Sequence, residues 1–228
     1  MRNRPPFLGL LRLDTSFPRP LGDLGQPRTW QAAGLPVRVR VVPQASAQRV
    51  VLAADPLLLG PFVAAAQQLQ AAGAVAIVTS CGFLARDQDA LQAAVQVPVL
   101  SSALLWCQAL SAPGILTFDA PSLNAAVRAG ARVPPNTPVE GLQAQDHLRQ
   151  VILHNARGLS RREAERNVVS AAQRLVQAHP QVRQIVLECT NMPPYRDAVA
   201  QATGRPVHDL LTLVQARQVL GQRAKIGV

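Results

Sequence analysis

The 228-residue chain carries 23 Lys and Arg against 13 Asp and Glu, a formal charge of +10, with 48% apolar residues and three cysteines. That length accommodates one large core or two smaller ones, and no apolar run approaches the roughly 20 residues of a membrane helix. The cysteines lack paired close spacing, which argues against both a disulfide framework and a zinc site.

Every positive charge but Lys225 is an arginine, and the arginines are scattered, with "RGLSRREAER" (157–166) the one local cluster. Aromatic residues are too few for a base-stacking platform, so no nucleic-acid partner is expected. A positive surface would still favour encounter with small acidic substrates. The opening "MRNRPPFLGLLRLD" is basic and then briefly apolar, short of a secretory h-region of roughly 7–15 residues and followed by no small-residue cleavage site. A cytoplasmic protein without a membrane partner is the expectation.

Along the chain, short β-branched runs alternate with alanine-rich amphipathic stretches, the pattern of an α/β fold with mostly parallel sheets. Strands are expected at 8–13, 37–42, 74–80, 97–100, 114–118, 149–154, 183–188 and 206–208. Helices are expected at 61–72, 87–95, 101–110, 121–130, 160–178, 195–203 and 209–221.

The two halves repeat each other. "LGLLRLDTS" resembles "PGILTFDAP", so that Gly9 and Asp14 recur 105 residues later as Gly114 and Asp119. "AVAIVTSC" ends at Cys81 and "VRQIVLEC" at Cys189, and in each case a proline, Pro98 or Pro206, follows 17 residues on. Three matched features in one order point to two pseudo-symmetric flavodoxin-like lobes, each with a mostly parallel sheet flanked by helices. The expected division is 1–105 with Cys81, joined by a C-terminal helix over 209–228, and 106–208 with Cys189. Ligands of parallel α/β sheets bind beyond the carboxyl ends of the strands. Cys81 and Cys189 hold that position, one per lobe, and a pseudo-twofold axis would set them across a single cleft.

Two acid–base groups of one type, on opposite faces of a carbon, suit reversible proton transfer. A thiol with an ordinary pKa of about 8.5 can be tuned either way for the task. Loop amides in "SCGFLARDQDALQ" and "CTNMPPYRDAVAQ" would help hold a thiolate or a substrate carboxylate. Gly82 permits close backbone approach, and Pro193 and Pro194 stiffen the second loop.

With these motifs in place, the chain resembles the aspartate/glutamate racemase superfamily over nearly its whole length. The resemblance implies cofactor-independent proton transfer at a carbon beside a carboxylate, with Cys81 and Cys189 as paired acid and base. It also implies a small carboxylate or amino-acid substrate and, as is common in the family, a homodimer. Glutamate racemases look like Cys-Asn-Thr and Cys-Thr-His at the two sites, whereas this chain has Cys81-Gly82-Phe83 and Cys189-Thr190-Asn191. A dicarboxylate isomerase using Cys81 covalently, or a carboxylate-binding protein with a degenerate site, fits the same residues.

Around the cysteines, Thr79, Ser80, Gly82, Thr117, Thr190 and Asn191 are candidates for substrate binding. Each polar one could equally cap a helix or turn. The family carries hydroxyl and amide residues where Thr79, Thr117 and Asn191 stand, which favours ligand binding there. Arg12 could fork onto a substrate carboxylate or pair with Asp14 to hold the first loop. Asp14 resembles an acidic residue that some family members carry in that loop. Glu188 precedes Cys189, and strand alternation leaves open whether it faces the cleft. Facing the cleft, its charge would raise the thiol's pKa. Cys107 reads as a core residue, and His147, His154, His179 and His208 show no ligand spacing.

Overall fold

The computed structural model describes residues 5–219. Its strands fall into two four-stranded parallel sheets. The first joins β1 (Phe7–Leu13), β2 (Val37–Val42), β3 (Ala74–Thr79) and β4 (Val99–Leu100) in the order β2-β1-β3-β4. The second joins β5 (Pro113–Thr117), β6 (Val139–Gly141), β7 (Gln184–Leu187) and β8 (Val207–His208) in the order β6-β5-β7-β8. Helices α1 (Pro27–Ala32), α2 (Leu59–Ala71) and α3 (Gln88–Ala93) flank the first sheet. The second half contributes α4 (Ala125–Gly130), α5 (His147–Leu153), α6 (Arg161–Ala178), α7 (Arg196–Thr203) and α8 (Leu210–Ala216). The chain is therefore two lobes of one design.

The central strands β1, β3, β5 and β7 are buried almost throughout. Near-continuous runs such as "AVAIVT" and "QIVL" follow from that, because helices cover both faces of a parallel sheet. Equivalent atoms do equivalent work in the two lobes. Ile77 donates its amide to the Pro98 carbonyl at 2.8 Å, and Ile185 does so to Pro206 at 2.9 Å. Gly9 is a glycine because a Cβ there would sit 2.9 Å from the Leu69 side chain of α2, and one on Gly114 would meet Leu175 of α6 at 3.0 Å. The two glycines let the longest helix of each lobe lie close against its central strand.

The run 149–154, expected as a strand, is the second half of α5 instead. Leu148, Val151 and Ile152 are its buried residues, spaced three and four apart as on one helix face. A short apolar run of this kind has no periodicity that separates strand from buried helix. The strand beside β5 is the polar β6, "VEG", whose Val139 pairs with Ile115. The helix expected over 101–110 is a 3-10 helix, Ala103–Gln108, with the Ser102 hydroxyl accepting from the Leu104 amide. Helix α1 and a π-helical turn, Gln48–Leu52, were not foreseen. Asp209 caps α8 reciprocally with Thr212, and Trp106 Nε1 reaches the Thr212 hydroxyl at 3.2 Å. The expected helix beyond Val219 lies outside the described residues. Among the described residues no helix is long and apolar enough to cross a membrane.

Candidate active site

Each cysteine follows the third strand of its lobe. β3 ends at Thr79 and β7 at Leu187, and the chain turns into a 3-10 helix directly after Cys81 (Gly82–Asp87) and four residues after Cys189 (Pro193–Tyr195). Two hydrogen bonds fix the strand ends in matching fashion: Ser80 donates its amide to Leu11 O (2.9 Å), and Glu188 to Leu116 O (2.8 Å). Both cysteines line one cleft, with Leu13, Phe17, Arg19, Ala47, Val51 and Phe83 from the first lobe. Phe118, Ile152, Glu188, Thr190 and Asn191 complete it from the second. The cleft holds about 360 Å³ of atom-free space including its mouth. As it stands, the site is narrow and largely apolar.

The loop between β1 and α1 crosses from one lobe to the other. The amides of Ser16 and Phe17 donate to Asn155 Oδ1 at 2.7 and 3.0 Å. The Leu24 amide donates to Thr190 O at 3.0 Å. Gly22, at φ +103°, packs so tightly on Pro194 that a Cβ would lie 2.7 Å from its Cα. Trp30 anchors the far end of the loop by donating from Nε1 to Leu24 O at 2.9 Å.

That loop also carries a polar relay to the second thiol. Arg19 Nη1 meets Asp23 Oδ1 at 2.8 Å, with both side chains buried, and Nη2 donates to the Thr15 hydroxyl. Asp23 Oδ2 accepts from Asn191 Nδ2 at 2.7 Å. Asn191 Oδ1 in turn faces Cys189 Sγ at 3.6 Å. Stacked over Phe17 at 4.3 Å, the Arg19 guanidinium is fixed in place on the cleft wall.

Both thiols are held in the neutral form. Burial pushes Cys81 up to about 12, and the Glu188 carboxyl adds to the rise; the Phe83 backbone N–H and the charges of Arg86 and Arg19 oppose it. Burial and then Glu188 also raise Cys189 well above the usual thiol value, against the Asn191 backbone N–H. In each loop the amide two residues past the cysteine works against that rise.

Glu188 is wholly buried on the cleft wall, which settles a facing that strand alternation leaves open: β7 ends at Leu187, one residue before it. Its Oε2 accepts from the Thr117 hydroxyl at 2.7 Å, while Oε1 is buried with no partner among the described residues. Burial raises its pKa to about 8, against hydrogen bonds from Thr117 and the Phe118 amide. Gly82 sits opposite, and a Cβ there would run into both the Glu188 carbonyl and its Oε1.

The structure separates the candidate residues into two sets. Ser80, Gly82, Thr190 and Asn191 line the cleft with the two cysteines. Thr79 and Thr117 do not: the Thr79 hydroxyl donates to Ser101 O at 2.6 Å and accepts from the Cys81 amide at 3.3 Å, so it shapes the cysteine loop, and Thr117 holds Glu188. Asp14 is exposed and accepts from the Gln44 amide, away from the cleft. Arg12 is likewise absent from the cleft lining and is not paired with Asp14; its Nε is buried without a partner. The guanidinium on the cleft wall belongs to Arg19, in a loop whose "FPRPLGDLG" composition announces turns but no direction for any side chain. Cys107 is buried in the 103–108 segment.

A strand-end thiol in each of two like lobes, opening on one cleft, makes a pseudo-symmetric two-thiol α/β site. The sequence model described as Asp/Glu/Hydantoin racemase matches residues 45–216, and the chain belongs to that family of enzymes. It is 30% identical over 234 aligned residues to dimethylsulfoniopropionate lyase 5 of Emiliania huxleyi (strain CCMP1516), covering 92% of this chain and 44% of that protein. The chain therefore spans less than half the length of that curated relative. Among solved structures, unliganded arylmalonate decarboxylase superposes with a TM-score of 0.60 at 17% identity over 96% of this chain and 95% of the other. Glutamate racemase from Francisella tularensis subsp. tularensis in complex with D-glutamate gives 0.51 at 15% identity over 99% and 86%. At such identities the likeness is one of fold.

Proposed function

We propose that the protein is a cofactor-independent racemase or epimerase that removes a proton from the carbon beside a carboxylate and returns one from the opposite side. Cys81 and Cys189 are the paired acid and base. The observation that carries this reading is the matched placement of two strand-end thiols on one cleft. A thiolate on one face takes the Cα proton; the thiol on the other face protonates the resulting carbanion, and the roles reverse for the mirror-image substrate. Arg19 and the loop amides after each cysteine are the groups that would receive the carboxylate. Thr190 and Asn191 tie the lobes together around it, through Ser80 O at 2.6 Å and Asp23 at 2.7 Å.

A second reading rests on the 30% identity to a dimethylsulfoniopropionate lyase. A 3-sulfoniopropionate also carries a proton on the carbon beside its carboxylate. Removing that proton forms the C=C bond as the C–S bond breaks, so an alkenoate and a neutral sulfide leave, and a single thiolate suffices. Incubation in D₂O under reducing conditions with amino acids, hydantoins, dicarboxylates and a 3-sulfoniopropionate separates the two. Deuterium at Cα of recovered substrate, with loss of optical rotation and a need for both cysteines, supports the racemase. Release of sulfide and alkenoate that survives loss of one cysteine supports the lyase. Near-normal racemisation by Cys81→Ala would end the two-base mechanism.

A further inference from the structure

We propose that Asp23 is the positioning residue of the second thiol: by holding the Asn191 side-chain amide in one of its two orientations, it makes Cys189 the resident acid of the pair and leaves Cys81 as the first base. The inference rests on the two-thiol reading above and adds an order of events to it.

An asparagine amide presents either its oxygen or its nitrogen to a neighbour, and its other contacts decide which. Here they leave one choice. Asp23 Oδ1 accepts from Arg19 Nη1 at 2.8 Å and from the Gly25 amide at 2.7 Å, and Oδ2 lies 2.7 Å from the Asn191 side chain. A carboxylate paired with a guanidinium accepts hydrogen bonds and donates none. The Asn191 atom facing it is therefore Nδ2, and Oδ1 is turned to Cys189 Sγ at 3.6 Å. A carbonyl oxygen accepts from an S–H but repels a thiolate, whereas the reversed amide would offer the thiolate an N–H. Asp23, Asn191 and Cys189 are all buried, so solvent screens little of that difference.

The relay serves one thiol only. Asp23 reaches Asn191 from the first lobe, out of the loop between β1 and α1. The residue two past Cys81, matching Asn191, is Phe83, whose ring has no carbonyl oxygen to offer a thiol. Charge acts in the same direction as contact. Arg86 and Arg19 favour a thiolate at Cys81, while Asp23 disfavours one at Cys189.

The reactive enzyme carries one proton between two sulfurs, the other having left to solvent, and the Asn191 contact places that proton on Cys189. The Cys81 thiolate takes the Cα proton and becomes a thiol, leaving a carbanion. Cys189 gives its proton to the opposite face of the carbanion and becomes a thiolate. The mirror-image substrate reacts with the form so left, and its turnover restores the first.

Asp23→Asn is the informative variant. The Arg19 guanidinium and the Gly25 amide keep the oxygen of the new side chain, so its NH₂ faces Asn191, whose amide turns its own NH₂ to the sulfur. Two measurements on the ligand-free protein follow the change. Infrared difference spectra against Cys189→Ala and Cys81→Ala isolate each S–H stretching band, in a window clear of other protein bands. In the wild type the Cys189 band should lie lower in frequency than that of Cys81, as for a hydrogen-bonded thiol. In Asp23→Asn it should move up while the Cys81 band stays. Alkylation by iodoacetamide at one pH, mapped by mass, should be slower at Cys189 than at Cys81 in the wild type. The variant should raise the Cys189 rate about tenfold relative to Cys81.

A merely structural role for Asp23 would loosen the loop and speed both thiols together; an unchanged ratio overturns the proposal. So does a wild-type Cys189 band at the position of a free thiol, a result that does not depend on the Asp23 variant folding. If the bands and the ratio move as stated but no substrate is racemised, the proposed function falls and the link from Asp23 through Asn191 to Cys189 stands. If racemisation needs both cysteines but neither readout responds to Asp23→Asn, the link falls and the function stands.

Discussion

The two cysteine loops are built on the same frame and differ in one decisive atom group. In the first lobe Ser80 precedes Cys81, and its hydroxyl is satisfied by the Leu13 amide at 3.0 Å. In the second lobe Glu188 takes the equivalent place, its amide bonded like that of Ser80 to the neighbouring strand, but it brings a buried carboxyl with one oxygen unpaired. The repeat thus supplies matching positions for the thiols, while their electrostatics differ: Glu188 raises both, Arg86 and Arg19 oppose the rise at Cys81, and Asp23 adds to it at Cys189.

The largest expected effect tests the symmetric part of that comparison. Cys81→Ala and Cys189→Ala should each lower racemisation by about 10²–10⁴-fold, while Cys107→Ala, in the core of the 103–108 segment, leaves it largely intact. Unequal losses at the two cleft positions would show that one face of the substrate is served by a different group.

The next test addresses the asymmetry. Glu188 is protonated in the folded protein up to about pH 8, whereas its ordinary value is 4.5. Between those limits the folded state holds a proton that the unfolded chain has released, so stability falls as the pH rises through that window. The slope approaches about 1.4 kcal/mol per pH unit. Urea unfolding across the window should show this decline in the wild type and a flatter curve in Glu188→Gln, with Ser80→Ala as steep as the wild type.

Gly82 and Thr190 follow the two cysteines and sharpen the same contrast. Gly82→Ala forces a methyl into the Glu188 carbonyl and carboxyl and should cost about 1–3 kcal/mol. Thr190→Ala removes one hydrogen bond, to Ser80 O, at about 0.5–1.5 kcal/mol. The smallest effect belongs to Thr117→Val, which frees Glu188 Oε2 and should raise the carboxyl's titration further, read by ¹³C NMR. Thr79→Val in the first lobe should leave that titration unmoved.

The sequence made the repeat legible because its signals are local. Two glycines under packed helices, two prolines before short strands and two cysteines at strand ends all keep their spacing. The strand-end position of the thiols followed from the apolar runs before them. What it hid depends on where loops go. Arg12 sits on a predicted strand and draws attention, yet the cleft takes Arg19 from a loop that no periodicity describes. Asp14 matches Asp119 in the repeat, but the first is exposed on the Gln44 amide and the second is paired with Arg149 at 2.7 Å. Alternation leaves the facing of Glu188 open because its strand ends one residue earlier, at Leu187. The apolar run in α5 was read as a strand because six residues span too few turns to show a helical period.

The loop between β1 and α1 has a consequence for how quickly the protein can trade one small molecule for another. Three of its amides, on Ser16, Phe17 and Leu24, hang from Asn155 and Thr190 across the cleft. Phe17 and Arg19 of that loop are walls of the cleft, so a ligand that needs more room than the cleft offers is expected to exchange at the rate at which those fastenings open. In hydrogen–deuterium exchange the three amides should share one opening rate, and a bound molecule that bridges the lobes should slow all three in step.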